Sequence, residues 1–303
     1  MLALVIGGNG FIGSGLVERL RATGHRVRVL DQSAPRTDVD WRDVDYVTGN
    51  LFDTALLPAV LDGVDVIFHL ASSTIPSTSN LDPVADVQAN LVGALNLCNA
   101  MIAAGLRRLV YLSSGGTVYG DPTQLPVPET HSLRPISSYG VVKVAIENYL
   151  LMYEHLGDLD PLILRPSNPY GPRQSSTGQQ GVIGAFLGKA LRGEGIQIWG
   201  DGEIVRDYLH VDDLINFAAT AGTGSKRGLV NVGSGQGHTL NQIVSLVREA
   251  TGAPLPVEYA PRRAYDVAEI VLDISRATAE FGWRPMINLL DGIQATWQAI
   301  NRR

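Results

Sequence analysis

An α/β protein, a doubly wound parallel sheet followed by a smaller C-terminal α/β domain, is predicted by three features of the sequence. Short β-branched and apolar runs alternate with helical patterns through residue 166. The first of these runs passes directly into a glycine-rich turn, GGNGFIG, at residues 7–13. Beyond residue 166 the alternation gives way to an irregular stretch, PSNPYGPRQSSTGQQG, rich in Gly, Pro, Ser and Gln, which reads as a long binding loop.

Taken in order, the predicted strands are LALVI (2–6), RVRVL (26–30), DYVTG (45–49), VDVIFHL (64–70), RRLVYLS (107–113) and PLILRP (161–166). Helical patterns lie between several of them: FIGSGLVERLRATG, DTALLPAVLDG, PVADVQANLVGALNLCNAMIAAG and SSYGVVKVAIENYL. Strand, helix, strand repeated in this way predicts parallel strands with helices on both faces. The predicted boundaries are 1–166 for the first domain, with a return strand near 229–233, and 167–303 for most of a second.

Composition narrows the function classes. The 303 residues are 45% hydrophobic and 18% charged, as in a soluble globular protein. A net charge of -6 argues against a nucleic-acid scaffold. The single Cys98 excludes an internal disulfide, and its apolar surroundings predict a buried thiol rather than a nucleophile. The N-terminal apolar run is too short for a signal peptide and no run has membrane-span length, so a cytoplasmic protein without membrane contact is expected. The six histidines show no metal-ligand spacing, and no G-x-S-x-G elbow is present.

Two local patterns carry chemistry. Gly7, Gly10 and Gly13 form a G-x-x-G-x-x-G turn between a strand and a helix, with Phe11 and Ile12 inside it. Such a turn brings backbone close to a pyrophosphate, which then rests on the helix N-terminus, as in Rossmann-type dinucleotide sites. Asp31 ends the second strand, where a carboxylate accepts both ribose hydroxyls of NAD and repels the extra phosphate of NADP; the nearby Arg36 points the other way. The second pattern is Tyr139 and Lys143, one helical turn apart, in a chain with three lysines. Bringing a phenol from pKa about 10 to about 7 takes roughly 4 kcal/mol. An ammonium a few ångströms away supplies about that.

Together these residues resemble the extended short-chain dehydrogenase/reductase family, in particular its nucleotide-sugar epimerases, over nearly the whole chain. The resemblance implies NAD as cofactor, held also by Asn50 and Leu51 of NLFD, Leu70, Ala71 and Ser72 of HLAS, and Asn90. It implies Tyr139 as the base, with Lys143 supporting it and contacting the nicotinamide ribose. The family's catalytic hydroxyl falls at Gly115 in YLSSGGTVYG. Regular strand alternation puts Thr117 on the same side and turns Ser114 away, so Thr117 is favoured and Ser114 kept as the alternative. Tyr119 reads as structural.

For the substrate, the resemblance implies that Arg206 and Arg263 contact a pyrophosphate and Asp266 a nucleotide ribose. Gln197 to Trp199 would flank the base, and Asn168 and Gln180 would touch sugar or phosphate. Ile270 lies near the position that admits or excludes N-acetyl groups. The expected reaction is inversion at C4 of a nucleotide-diphosphate hexose, with uridine the family default; the resemblance implies a homodimer through the helices at 83–104 and 137–155, whose broad apolar faces could equally pack on the sheet. A reductase of nucleotide-linked 4-keto sugars and a non-catalytic dinucleotide sensor are the competing readings. The Asp-Glu pair of the 4,6-dehydratases is lacking.

Overall fold

The computed structural model describes residues 1–174, 181–261 and 267–302. The chain divides into two compact units. The first comprises Met1–Val118, Ser137–Arg165 and Ile215–Val230; the second comprises Tyr119–Ile136, Pro166–Leu214 and the chain from Asn231 on. Residues 119–136, counted with the first domain from sequence, thus group with the second unit.

The first unit begins β1 (Leu2–Ile6), α1 (Phe11–Ala22), β2 (Arg26–Asp31), β3 (Val44–Thr48), α2 (Leu57–Leu61) and β4 (Val66–His69). It continues with α3 (Pro83–Asp86), α4 (Gly93–Ala103), β5 (Arg108–Leu112), α5 (Ser138–Leu156) and β6 (Asp160–Pro166). Every residue of β1 and of β4 is buried, as expected of parallel strands covered on both faces. Adjacent strands from β3 through β6 pair in parallel. The order is β10-β6-β5-β4-β1-β2-β3, with the return strand β10 (Gly228–Val232) at one edge. Strand order reverses between β1 and β4, and a crevice at such a switch point is where doubly wound sheets bind ligands.

Two elements differ from the sequence reading. The pattern over 83–105 is not one helix: α3 is followed by a π-helical turn, Val87–Val92, and then by α4. Single π turns are frequent at functional sites, and this one carries Asn90. β5 stops at Leu112, and the chain then turns, with the amides of Thr117 and Val118 both donating to the Ser114 carbonyl. The alternation that favoured Thr117 therefore does not apply.

The second unit holds β7 (Asn168–Tyr170), α6 (Val182–Arg192), β8 (Ile196–Trp199), β9 (Val205–His210) and the start of α7 (Val211–Gly222). After β10 come β11 (Gly237–Thr239), α8 (Leu240–Thr251), β12 (Val257–Ala260), β13 (Glu269–Ile270), α9 (Ser275–Phe281) and α10 (Leu289–Asn301). β9 pairs with β7, β11 and β13, and β8 pairs with β12. Helices α6, α8 and α10 turn Ile183, Leu187, Ile243, Val247 and Ile293 into one core. A capping box between Thr239 and Gln242 starts α8. Among the described residues no helix is long and apolar enough to cross a membrane.

Candidate active site

The loop from β1 to α1 depends on glycine. Gly7 has φ +83°, and a Cβ there would lie 2.8 Å from the Ala71 backbone. A Cβ on Gly13 would lie 2.1 Å from the Gly7 carbonyl oxygen. Gly10, the N-cap of α1, offers no side chain to its amides. Since the first amides of a helix have no partner within it, α1 presents them, and the positive end of its dipole, to a ligand.

Beside this loop lies a cavity of about 360 Å³. Of the cofactor residues predicted, Gly7, Gly10, Asp31, Asn50, Leu51, Leu70, Ala71, Ser72 and Asn90 line it. Phe11, Ile12 and Gly13 are not part of its lining. Asp31 is fixed by the Asn9 amide at 3.0 Å on one oxygen and by the Ser33 hydroxyl at 2.6 Å on the other. Arg36 is held by Asp38, with nitrogen–oxygen distances of 2.5 and 3.0 Å. Asn9 also lines the cavity, and its side chain ties the loop to the backbone of Ala34 and Arg36. Sequence reasoning passed over it as a variable position between glycines.

The second helix N-terminus, that of α5, is built in the opposite way. The amides of Ser138, Tyr139 and Gly140 donate to Asn80 Oδ1, Ser79 Oγ and Ser137 Oγ at 2.7, 3.0 and 3.2 Å. One turn on, Lys143 is buried and donates to the Leu112 carbonyl at 2.8 Å. Its Nζ lies 4.8 Å from the Tyr111 ring centroid and 5.5 Å from that of Tyr139. The Ser114 hydroxyl lies near enough to the Tyr139 phenol to favour the phenolate. Burial first, and the Asp86 carboxylate second, outweigh this and push the phenol up to about 12. Burial brings Lys143 down to about 8, opposed by the carboxylates of Glu147 and Asp86, so the ammonium stays charged at neutral pH. Thr117 Oγ1 is buried and has no hydrogen-bond partner among the described residues.

Behind the lysine lies a buried ion pair that sequence reasoning missed, although Glu147 follows Lys143 by one turn. Arg165 donates to both Glu147 oxygens at 3.0 and 2.6 Å, and Ser113 donates to the same carboxylate. Ser113 directly follows the residue whose carbonyl receives Lys143, so the pair fixes that strand end.

In the second unit a separate cavity of about 300 Å³ is lined by Asn168, Gln197, Trp199 and Arg206, four of the predicted substrate residues. Arg206 and Tyr208 alternate along β9 onto this cavity, and Tyr208 Oη is buried without a partner among the described residues. The intervening Asp207 takes the opposite side and is tied to Ser234, Gly235 and Leu272. Gln180, Arg263 and Asp266 lie outside the described residues. Ile270 is buried against β9 and does not line the cavity. No metal-binding cluster occurs among the described residues.

Residues 3–233 match the model of the NAD dependent epimerase/dehydratase family. The chain belongs to that family. It is 38% identical to the UDP-glucose 4-epimerase of Mycolicibacterium smegmatis, over 98% of this chain and 97% of that one. It superposes on the UDP-glucose 4-epimerase of Thermotoga maritima with UDP-glucose at TM-score 0.95 and 34% identity, covering 100% and 99% of the two chains. The Thermus thermophilus UDP-glucose 4-epimerase complex with NAD gives TM-score 0.93 and 35% identity, with 99% of both chains covered.

Within this epimerase/dehydratase frame the residues present fit NAD. The glycine turn excludes side chains where a pyrophosphate approaches, the α1 amides are uncapped, and Asp31 places a carboxylate on the cavity wall. Arg36 is engaged by Asp38 rather than offered to an extra phosphate.

Proposed function

We propose that this protein inverts C4 of a UDP-linked hexose through a 4-keto intermediate, with Tyr139 as the proton acceptor and donor. The observation that carries the reading is the grouping of the Tyr139 phenol, the Ser114 hydroxyl and the buried Lys143 ammonium on the unit that holds the NAD cavity. NAD, held at the cavity lined by Gly7, Gly10, Asp31 and Asn90, would supply the two-electron acceptor and donor that the sugar carbinol needs. Tyr139 takes the proton of the 4-hydroxyl and gives it back. Lys143 lowers the cost of the phenolate, and Ser114 donates to it. Ser114 fills the role that the family gives to the position of Gly115, and Thr117, whose hydroxyl is unpartnered, is left for a contact with the sugar.

The first unit then serves as the nucleotide domain and the second as the substrate domain, with Arg206 on a diphosphate oxygen, Trp199 and Gln197 beside the base, and Asn168 on the sugar side. A homodimer is part of the same reading. One face of α5 is buried through Val142, Ile146 and Leu150, while Val141, Tyr149, Met152 and Leu156 leave an apolar stripe exposed at helical spacing. Met152→Glu with Leu156→Glu should halve the mass seen by light scattering; an unchanged mass removes the dimer through this face.

The deciding experiment uses the protein as purified. One portion is denatured and its released nucleotide identified; another is incubated with UDP-glucose, with UDP-galactose followed by chromatography. Bound NAD and product formed without net cofactor consumption support the epimerase. Bound NAD with no turnover of UDP-glucose, of its N-acetyl relative or of its uronic acid relative refutes it. A requirement for added NAD(P)H and a keto sugar replaces it by the reductase.

A further inference from the structure

Asp86 is the C-terminal residue of α3, fully buried, and absent from every motif that the sequence offers. Its Oδ1 accepts from Thr74 Oγ1 at 2.6 Å and from Asn90 Nδ2 at 2.8 Å. Its Oδ2 accepts from Ser138 Oγ at 2.6 Å. The three donors belong to three different parts of the site. Thr74 follows the loop that walls the cofactor cavity. Asn90 lies in the π turn, lines that cavity, and accepts from the Ser73 amide at 2.9 Å. Ser138 is the residue before Tyr139.

The donors are all neutral, and Asp86 forms no ion pair among the described residues. Buried carboxylates are normally paired with a cation, because an isolated charge loses its hydration without return. The charges packed around Tyr139 are few. Glu147 on α5 and Arg165 on β6 cancel each other through two hydrogen bonds. His69 on β4 and Tyr111 on β5 are held neutral by burial. One charge of each sign is left, the ammonium of Lys143 and the carboxylate of Asp86.

We propose that Asp86 is a positioning residue for the base: it ties the cofactor-cavity wall to the first turn of the catalytic helix, and its charge, held against the residue before Tyr139, opposes the phenolate. The geometry requires the first half, since one carboxylate joins the cavity-lining Asn90 to Ser138. The second half follows from sign. A fixed negative charge opposes the phenolate, the direction in which Tyr139 is shifted, and supports the Lys143 ammonium against the fall that burial causes.

The proposal rests on Tyr139 being the base, and its test reads that tyrosine without turnover. Tyrosinate absorbance at 295 nm is titrated from pH 6 to 10 on NAD-loaded protein with no sugar present. Subtracting the same titration of Tyr139→Phe isolates one phenol. Asp86→Asn, nearly isosteric, should move its midpoint down by about 1 pH unit, the effect of a unit charge removed from a few ångströms. Asp86→Glu should leave the midpoint in place. Where turnover is measurable, the acid limb of kcat should move with the absorbance. An unmoved midpoint in a folded Asp86→Asn protein overturns the charge role. Ser138→Ala tests the tether independently and keeps the carboxylate. It should raise hydrogen exchange of the amides of residues 138–140 at least tenfold; unchanged exchange overturns the positioning role. A clean Tyr139 transition with no activity on any UDP-hexose would sink the epimerase reading and leave this one standing.

Discussion

Replacing Lys143 by methionine removes one charge and keeps most of the buried volume, so its effect on the base can be worked out in advance. Nζ lies 5.5 Å from the Tyr139 ring centroid. At an effective dielectric near 20, a unit charge at that range favours the phenolate by about 3 kcal/mol. That is a rise of about two pH units in the ionisation of Tyr139, and a loss of about a hundredfold in kcat at pH 7. Above the midpoint of the unaltered, NAD-loaded enzyme the deficit should shrink by about tenfold for each pH unit, because only the phenolate fraction has changed. Stability should change little. The Leu112 carbonyl loses its donor, a cost of about 1–3 kcal/mol, but a buried ammonium no longer has to be desolvated. The assay is kcat for UDP-galactose conversion between pH 6 and 10, with thermal melting as a control on folding. An equal loss on both sides of the unaltered enzyme's midpoint in a folded protein would refute the argument, because a displaced helix produces that and a removed charge does not.

Three further outcomes are expected. Ser114→Ala should cost about a hundredfold in kcat with NAD retained, and Thr117→Val less than tenfold; the reverse ranking would restore the position that strand alternation favoured. Glu147→Ala should destabilise the protein by about 3–5 kcal/mol in urea titration, since it leaves Arg165 buried and unpaired, whereas Glu147→Met with Arg165→Met should recover most of that loss; equal losses would mean that the ion pair is not what the site needs. Acid should weaken the fold through His69, whose ring burial and the nearby Lys143 push down to about 3. Below pH 6.5 the unfolded chain takes up a proton that the folded one refuses, so stability falls by about 1.4 kcal/mol per pH unit, or about 2 kcal/mol by pH 5. His69→Gln should lose that much less between pH 7 and 5 in paired denaturation curves, and an identical loss would discard the assignment.

The parallel sheet was legible because its strands are buried on both faces and read as apolar runs. The glycine turn was legible because its close contacts leave no room for Cβ atoms at residues 7 and 13. Tyr139 and Lys143 share a helix face, so four residues of spacing were enough. What could not be read lies across long sequence separations. Asn80, Ser79 and Asp86 reach the start of α5 from 58, 60 and 52 residues away, with no spacing rule to announce them. The alternation used for Thr117 failed for a related reason. The residue types of LSSGGTVYG do not say where the ladder ends, and once β5 stops at Leu112 the period of two no longer governs which hydroxyl meets the phenol.

The two helix N-termini at the parallel sheet show how one element serves two purposes. Both α1 and α5 carry the positive end of a helix dipole and first-turn amides with no partner inside the helix. At α1, Gly10 has nothing to offer those amides, and the turn that precedes it has no side chains to obstruct a phosphate. At α5, three side-chain oxygens from Asn80, Ser79 and Ser137 consume the amides, and the Asp86 carboxylate sits beside them. An anion is therefore attracted to the first helix and not to the second. A dinucleotide phosphate would compete with the tyrosinate for the same positive charge if both ends were open. Filling α5 with fixed acceptors removes that competition and anchors the helix whose second residue is Tyr139. The arrangement makes a discriminating demand: Ser79→Ala and Asn80→Ala should loosen the start of α5 and lower kcat while leaving NAD content unchanged, whereas a side chain at Gly10 should lower NAD content and leave α5 alone.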